Sequence, residues 1–265
     1  MLGSGNDILQ TTGDDTVEAG SGSETITAIG TGSDVIFGGS GALLFVAVGG
    51  AATIFGGSGS DTFLGGPGRA VVHGGTGGDN FLFGGTGATT LFGGGNGDQL
   101  IAANSAAAQA LHAGAGNETL FGGFSRGLDT FYGGTGSATI TAGSGTNLFV
   151  FTDGQAGGSA SIQGFASGRD QIDLQGYGKN EVAQALKSQT VVDGTDTITL
   201  SDHTKISFAN VSSLTASDFG TGAVATTGGT GGSVGGQDGD NGHQSHGMSD
   251  TNDHGQIRDS MLGHS

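Results

Sequence analysis

The sequence predicts an all-β fold: a parallel β-roll (β-solenoid), then a β-rich capping segment, then a disordered tail. Three observations carry this expectation. The 265-residue chain holds 60 glycines and a single proline, without the three-residue period of a collagen. A nine-residue template, G-G-x-G-x-D-x-U-x with U a large apolar residue, recurs along residues 1–150. Its U position is filled by an apolar residue in every unit. Disorder would not preserve such a register, whereas a stack of short strands punctuated by glycine turns requires it.

The template is plainest where Gly56-Gly57-Ser58-Gly59-Ser60-Asp61-Thr62-Phe63-Leu64 is set beside Gly74-Gly75-Thr76-Gly77-Gly78-Asp79-Asn80-Phe81-Leu82. Sixteen units place U at Leu9, Val17, Ile26, Ile36, Phe45, Ile54, Phe63, Val72, Phe81, Leu91, Leu100, Leu111, Leu120, Phe131, Ile140 and Phe149. One inward side chain per unit fits a three-residue strand whose middle residue faces the core. The six glycine-rich residues before it supply the turn. Two units make one coil of about 18 residues, and eight coils at about 4.8 Å give a core stack of roughly 35–40 Å.

The sixth template position carries the chemistry. It is Asp7, Asp15, Glu24, Asp34, Asp61, Asp79, Asp98, Glu118 and Asp129, and it is not acidic at Leu43, Ala52, Ala70, Thr89, Ala138, Asn147 and across the degenerate stretch 102–110. Alternate turns fall on opposite sides of a roll, so these residues sort into two columns. One runs Asp7, Glu24, Leu43, Asp61, Asp79, Asp98, Glu118, Ala138. The other runs Asp15, Asp34, Ala52, Ala70, Thr89, the degenerate stretch, Asp129, Asn147. Two carboxylates stacked at about 5 Å repel by about 3 kcal/mol at an effective dielectric of 20, and a cation between them removes that repulsion. Turn carbonyls add neutral oxygens, and an all-oxygen, flexible ligand set suits Ca²⁺ better than Mg²⁺. Calcium is therefore expected mainly in the first column, most strongly between Asp61, Asp79 and Asp98, with Asp15 and Asp34 as the adjacent acid pair of the second. The competing interpretation is that these acids merely solvate exposed turns.

The repeat resembles the RTX, or hemolysin-type, calcium-binding nonapeptide family. That resemblance implies a right-handed parallel β-roll, calcium in the turns, and secretion from a bacterial cell by type I secretion machinery. Residues 151–219 resemble the segment that follows the roll in such proteins, through Ile162-Gln163-Gly164-Phe165, Gly168-Arg169-Asp170-Gln171-Ile172-Asp173-Leu174 and the closing run to Asp218-Phe219. A few wider strands and one short helix near Asn180–Lys187 are expected there, capping the open end of the roll. Residues 220–265 are nearly devoid of apolar side chains and are expected to be disordered.

Charge and motif content narrow the function classes. Seven basic against 24 acidic residues give a net charge of −17, which disfavours nucleic acid and anionic membranes and favours cations. No cysteine is present, so disulfides and thiolate metal sites are excluded. The longest apolar run, Ala42 to Val48, is far shorter than the roughly 20 residues that span a bilayer. There is no H-E-x-x-H, G-x-S-x-G or P-loop signature, and no enzymatic activity is expected. His73, His112, Phe37, Phe55, Phe92 and Tyr132 are expected to form an exterior column of rings. The expectation is a calcium-dependent structural and secretion domain, the C-terminal part of a larger extracellular protein. The alternative is an adhesin or polysaccharide-binding roll that uses the ring column.

Overall fold

The computed structural model of the chain describes residues 1–220 apart from 104, 124–126 and 156. Most of the segment expected to be disordered, 220–265, lies outside the described residues. Within them, two sheets face each other, of 12 and 9 strands, and successive strands alternate between the sheets up to Gln171–Gln175. Pairing along each stack is parallel, with every strand inside a stack bonded to the strands one coil before and one coil after it. The fold is the predicted parallel β-solenoid.

Strands are three to six residues long, often longer than the three-residue strand expected. In Glu24–Ala28 the residues alternate buried and half-buried, so three side chains face inward where one was expected. From Val17 to Phe149 the U residues are buried, with one exception. In the strand Phe81–Phe83 the inward residue is Leu82, at 1 % exposure, and Phe81 is half-buried on the other face. Leu82 pairs with Phe63 below and Leu100 above. Within the core, Phe45 stacks on Phe63 at 5.8 Å between ring centroids and Phe131 on Phe149 at 5.3 Å.

Glycine is required in the turns because the coils sit on one another. A Cβ on Gly59 would overlap the carbonyl oxygen of Gly41 one coil below, and a Cβ on Gly77 would overlap that of Gly59. Backbone meets backbone there, so no side chain can rotate away.

The parallel ladders run on past residue 150. Ser159–Gln163 continues one sheet and Gln171–Gln175 the other. Lys205–Ala209 then adds a last parallel strand, which pairs antiparallel with Thr195–Thr199 and through it with Thr190–Val192. The helix Glu181–Lys187 falls where the sequence placed one, with Ala185 buried against the core. Phe165 packs edge-on against Phe208 at 5.1 Å, tying the cap to the last coils.

The exterior ring column forms as expected. Phe37, Phe55, His73, Phe92, His112 and Tyr132 stack in order, with centroids 5.2, 5.1, 4.5, 4.3 and 3.9 Å apart. Burial pushes His112 down to about 4 and also lowers His73, so both rings are neutral at pH 7.

Candidate metal centre

Position six lies two residues before U, and strand alternation turns both toward the interior. The acids at this position are consequently buried at Glu24 (1 %), Asp61 (4 %), Asp98 (0 %) and Glu118 (3 %). Asp34 and Asp129 are buried on the opposite side, while Asp7 and Asp15, near the first coil, are half-buried. Solvated turn acids would be exposed, so that interpretation does not hold for the buried group.

Strand pairing fixes the columns. The first runs Asp7, Glu24, Leu43, Asp61, Asn80, Asp98, Glu118, Ala138, as the flanking registers require. Asn80 therefore stands where Asp79 was expected. Asp79 is exposed and has φ +60, a left-handed conformation that an aspartate tolerates better than most residues. It absorbs one extra residue in this turn, which shifts the following strand by one and also accounts for Leu82 replacing Phe81. The expected ladder Asp61–Asp79–Asp98 is corrected to Asp61–Asn80–Asp98. The second column runs Asp15, Asp34, Ala52, Ala70, Thr89, Gln109, Asp129, Asn147, Asp170. Gln109 fills the rung that the degenerate stretch left blank, and Asp170, from beyond the roll boundary expected at 150, extends the column.

A recurring hydrogen bond links some of the rungs. At several rungs the backbone N–H at position six donates to the side-chain oxygen of the rung one coil above. Leu43 donates to Asp61 Oδ1 at 2.8 Å, Asp61 to Asn80 Oδ1 at 2.8 Å, Asn80 to Asp98 Oδ1 at 2.9 Å and Asp15 to Asp34 Oδ1 at 3.2 Å. Where the upper rung is apolar the N–H turns to a backbone carbonyl, as Glu24 does to Ala42 and Ala52 to Arg69. One oxygen of Asp34, Asp61 and Asp98 thus serves the fold, and the fate of the other distinguishes the turns. Asp34 Oδ2 accepts from the Thr11 hydroxyl, and Asp98 Oδ2 from the N–H groups of Gly94 and Gly95. By contrast Asp61 Oδ2, Glu118 Oε2 and both carboxylate oxygens of Glu24 are buried without a hydrogen-bond partner among the described residues. Such groups cost several kcal/mol unless a partner is supplied.

The electrostatics agree. Burial, then repulsion from Asp98 and Glu24, push Asp61 up to about 6 against the opposing Leu43 N–H. Burial, with a smaller push from Asp98, raises Glu118 as well. Among the described residues no three His, Cys, Asp or Glu side chains converge as a ligand group. A cation here would have to draw the remaining oxygens from turn carbonyls. The donor set is then all oxygen, anionic on one side and neutral on the other, and it fits calcium.

Without metal, Asp61 binds a proton more tightly folded than unfolded. Stability is therefore greatest below about pH 4 with respect to this group, and it falls as pH rises from about 4 toward 6. The calcium-free melting temperature should drop over that window, and saturating calcium should flatten the dependence. Thermal melts in chelator across pH 4–7 measure it, and a calcium-free melting temperature that rises with pH would contradict it.

A stacked roll with buried, partnerless carboxylates beside glycine turns defines a calcium-binding β-roll. The RTX calcium-binding nonapeptide repeat matches residues 2–28, 30–42, 47–77, 74–104, 111–127 and 125–155, together more than half of the chain. The chain belongs to that family. No curated protein matches it.

Proposed function

We propose that this chain is a calcium-dependent structural and secretion domain, the C-terminal part of a larger protein that folds outside the cell. The observation that carries the proposal is Glu24, whose two carboxylate oxygens are buried with no hydrogen-bond partner among the described residues. Calcium, when bound, supplies the positive charge that Glu24, Asp61 and Glu118 lack. At the low calcium of the cell interior the rungs around Glu24, Asp61 and Glu118 repel and their coils stay open, which suits passage through type I secretion machinery. At extracellular calcium, where extracellular calcium-binding modules in general have Kd of about 10⁻⁴–10⁻³ M, binding and the folding of those coils are one event. The domain itself has no enzymatic role in this proposal, and any effector activity resides elsewhere in the parent protein.

Polysaccharide binding along the exterior column is the weaker alternative. A sugar packs on the face of an aromatic ring, and here interplanar angles of 4–22° and short spacings commit the faces to one another. Mostly ring edges reach solvent.

Calcium titration followed by circular dichroism and calorimetry tests the proposal. A cooperative gain of β signal is expected, with Glu24→Gln binding at least one ion fewer than the native chain. Asp79→Ala should bind the native number, because Asp79 stands off the ladder. A β signal already complete in chelator, with no heat of binding, would overturn it.

A further inference from the structure

The amide-bearing rungs differ from the acidic ones in one consistent way. At Asn80 the side-chain Nδ2 donates to Gly77 O at 3.0 Å and to Asp98 Oδ1 at 2.9 Å. At Asn147 it donates to Gly143 O at 3.1 Å, Gly145 O at 3.2 Å and Asp170 Oδ1 at 3.0 Å. Gln109 Nε2 donates to the turn carbonyls of Gly85 and Gly87 at 3.2 and 2.9 Å. Each nitrogen is surrounded by oxygen acceptors, and at Asn80 and Asn147 these comprise turn carbonyls plus the carboxylate of the rung above. That is the ligand chemistry expected around calcium in the acidic turns.

The carboxylates above them are correspondingly satisfied. Asp98 accepts from the Asn80 N–H and amide on one oxygen and from Gly94 and Gly95 on the other. Asp170 accepts from the Asn147 N–H and amide on Oδ1 and from Ala166 N–H on Oδ2, with the Arg169 guanidinium alongside. Both bury at 0–1 % exposure, and the same arrangement is built twice, on opposite sides of the roll.

We infer that Asn80 and Asn147 are internal stand-ins for calcium: their amide nitrogens occupy the position of the ion, so these turns close without metal and exclude it. The inference rests on the calcium-binding proposal and sharpens it. It divides the roll into turns that wait for calcium, around Glu24, Asp61 and Glu118, and turns held by amides whatever the calcium level. Replacing an amide by the isosteric carboxylate removes the donor, places two carboxylates on adjacent rungs and reopens the site to a cation.

The test is calcium calorimetry on the full chain, native and with Asn80→Asp or Asn147→Asp. Each substitution should add one bound ion, and each variant should melt lower than the native chain in chelator but not in calcium. A native chain that binds calcium alongside variants of unchanged stoichiometry would overturn the inference and leave the calcium proposal standing. A native chain that binds none alongside variants that do would overturn the calcium proposal and support the amide role. Binding by neither sinks both. Hydrogen exchange on the native chain gives a second measure independent of variant folding. In chelator, amides at 77–80 and 143–147 should keep their protection while those at 20–24 lose it, and loss at all three would overturn the inference.

Discussion

Truncation of Phe63 to alanine is expected to cost about 3–5 kcal/mol, among the larger losses any single core side chain can give. Phe63 is 1 % exposed and stacks on Phe45. In a solenoid the cavity cannot be filled from elsewhere, because each coil touches only its neighbours. Phe92→Ala, on the exterior column, removes two ring contacts, with His73 and His112, and should cost only about 1–2 kcal/mol. Urea melts in saturating calcium compare the two. Equal losses would mean that the exterior stack bears as much of the fold as the core.

A second large effect is expected from a smaller change. Gly59→Ala adds one methyl group, directed at the Gly41 carbonyl of the coil below. Relief requires two turns to part, so a loss of at least about 3 kcal/mol is expected, the upper range for overpacking. Gly13→Ala is the control, since a Cβ there meets nothing within 4 Å, and it should stay within about 0.5 kcal/mol of the native chain. Melts of the two variants decide it, and a Gly59→Ala protein as stable as Gly13→Ala would show that the coils are not in contact at their turns.

Much of this architecture is legible in the sequence because it repeats. An apolar residue in every unit is enough to place Ile26, Phe45, Phe63 and Phe131 inside, and the aromatic spacing is enough to build the outer column. The helix over Glu181–Lys187 lies in a run of good helix formers without glycine. What is hidden has local causes. Phe81, Leu82 and Phe83 are three consecutive large apolar residues, so the pattern cannot say which one faces in. Asp79 matches the template better than Asn80 does, and only the strand register, with the positive φ at Asp79, reveals that it is the inserted residue. Gln109 lies in a stretch without turn glycines, where the template has nothing to align. The burial of position six could have been anticipated, since a residue two before an inward residue on a strand also faces inward. The glycines around it made it look like part of a solvated turn.

The Tyr132 stack also has an optical consequence. The chain has two tyrosines and no tryptophan. Tyr132 lies 3.9 Å from His112 at 5° between planes, on the roll, whereas the Tyr177 hydroxyl donates to Asp202 at 2.7 Å in the cap. The two phenols sit in different quenching environments, one against an imidazole face and one bonded to a carboxylate. With Tyr177→Phe the remaining emission reports the roll alone, and with Tyr132→Phe it reports the cap alone. The order in which the two regions form as calcium rises can therefore be followed without any added label.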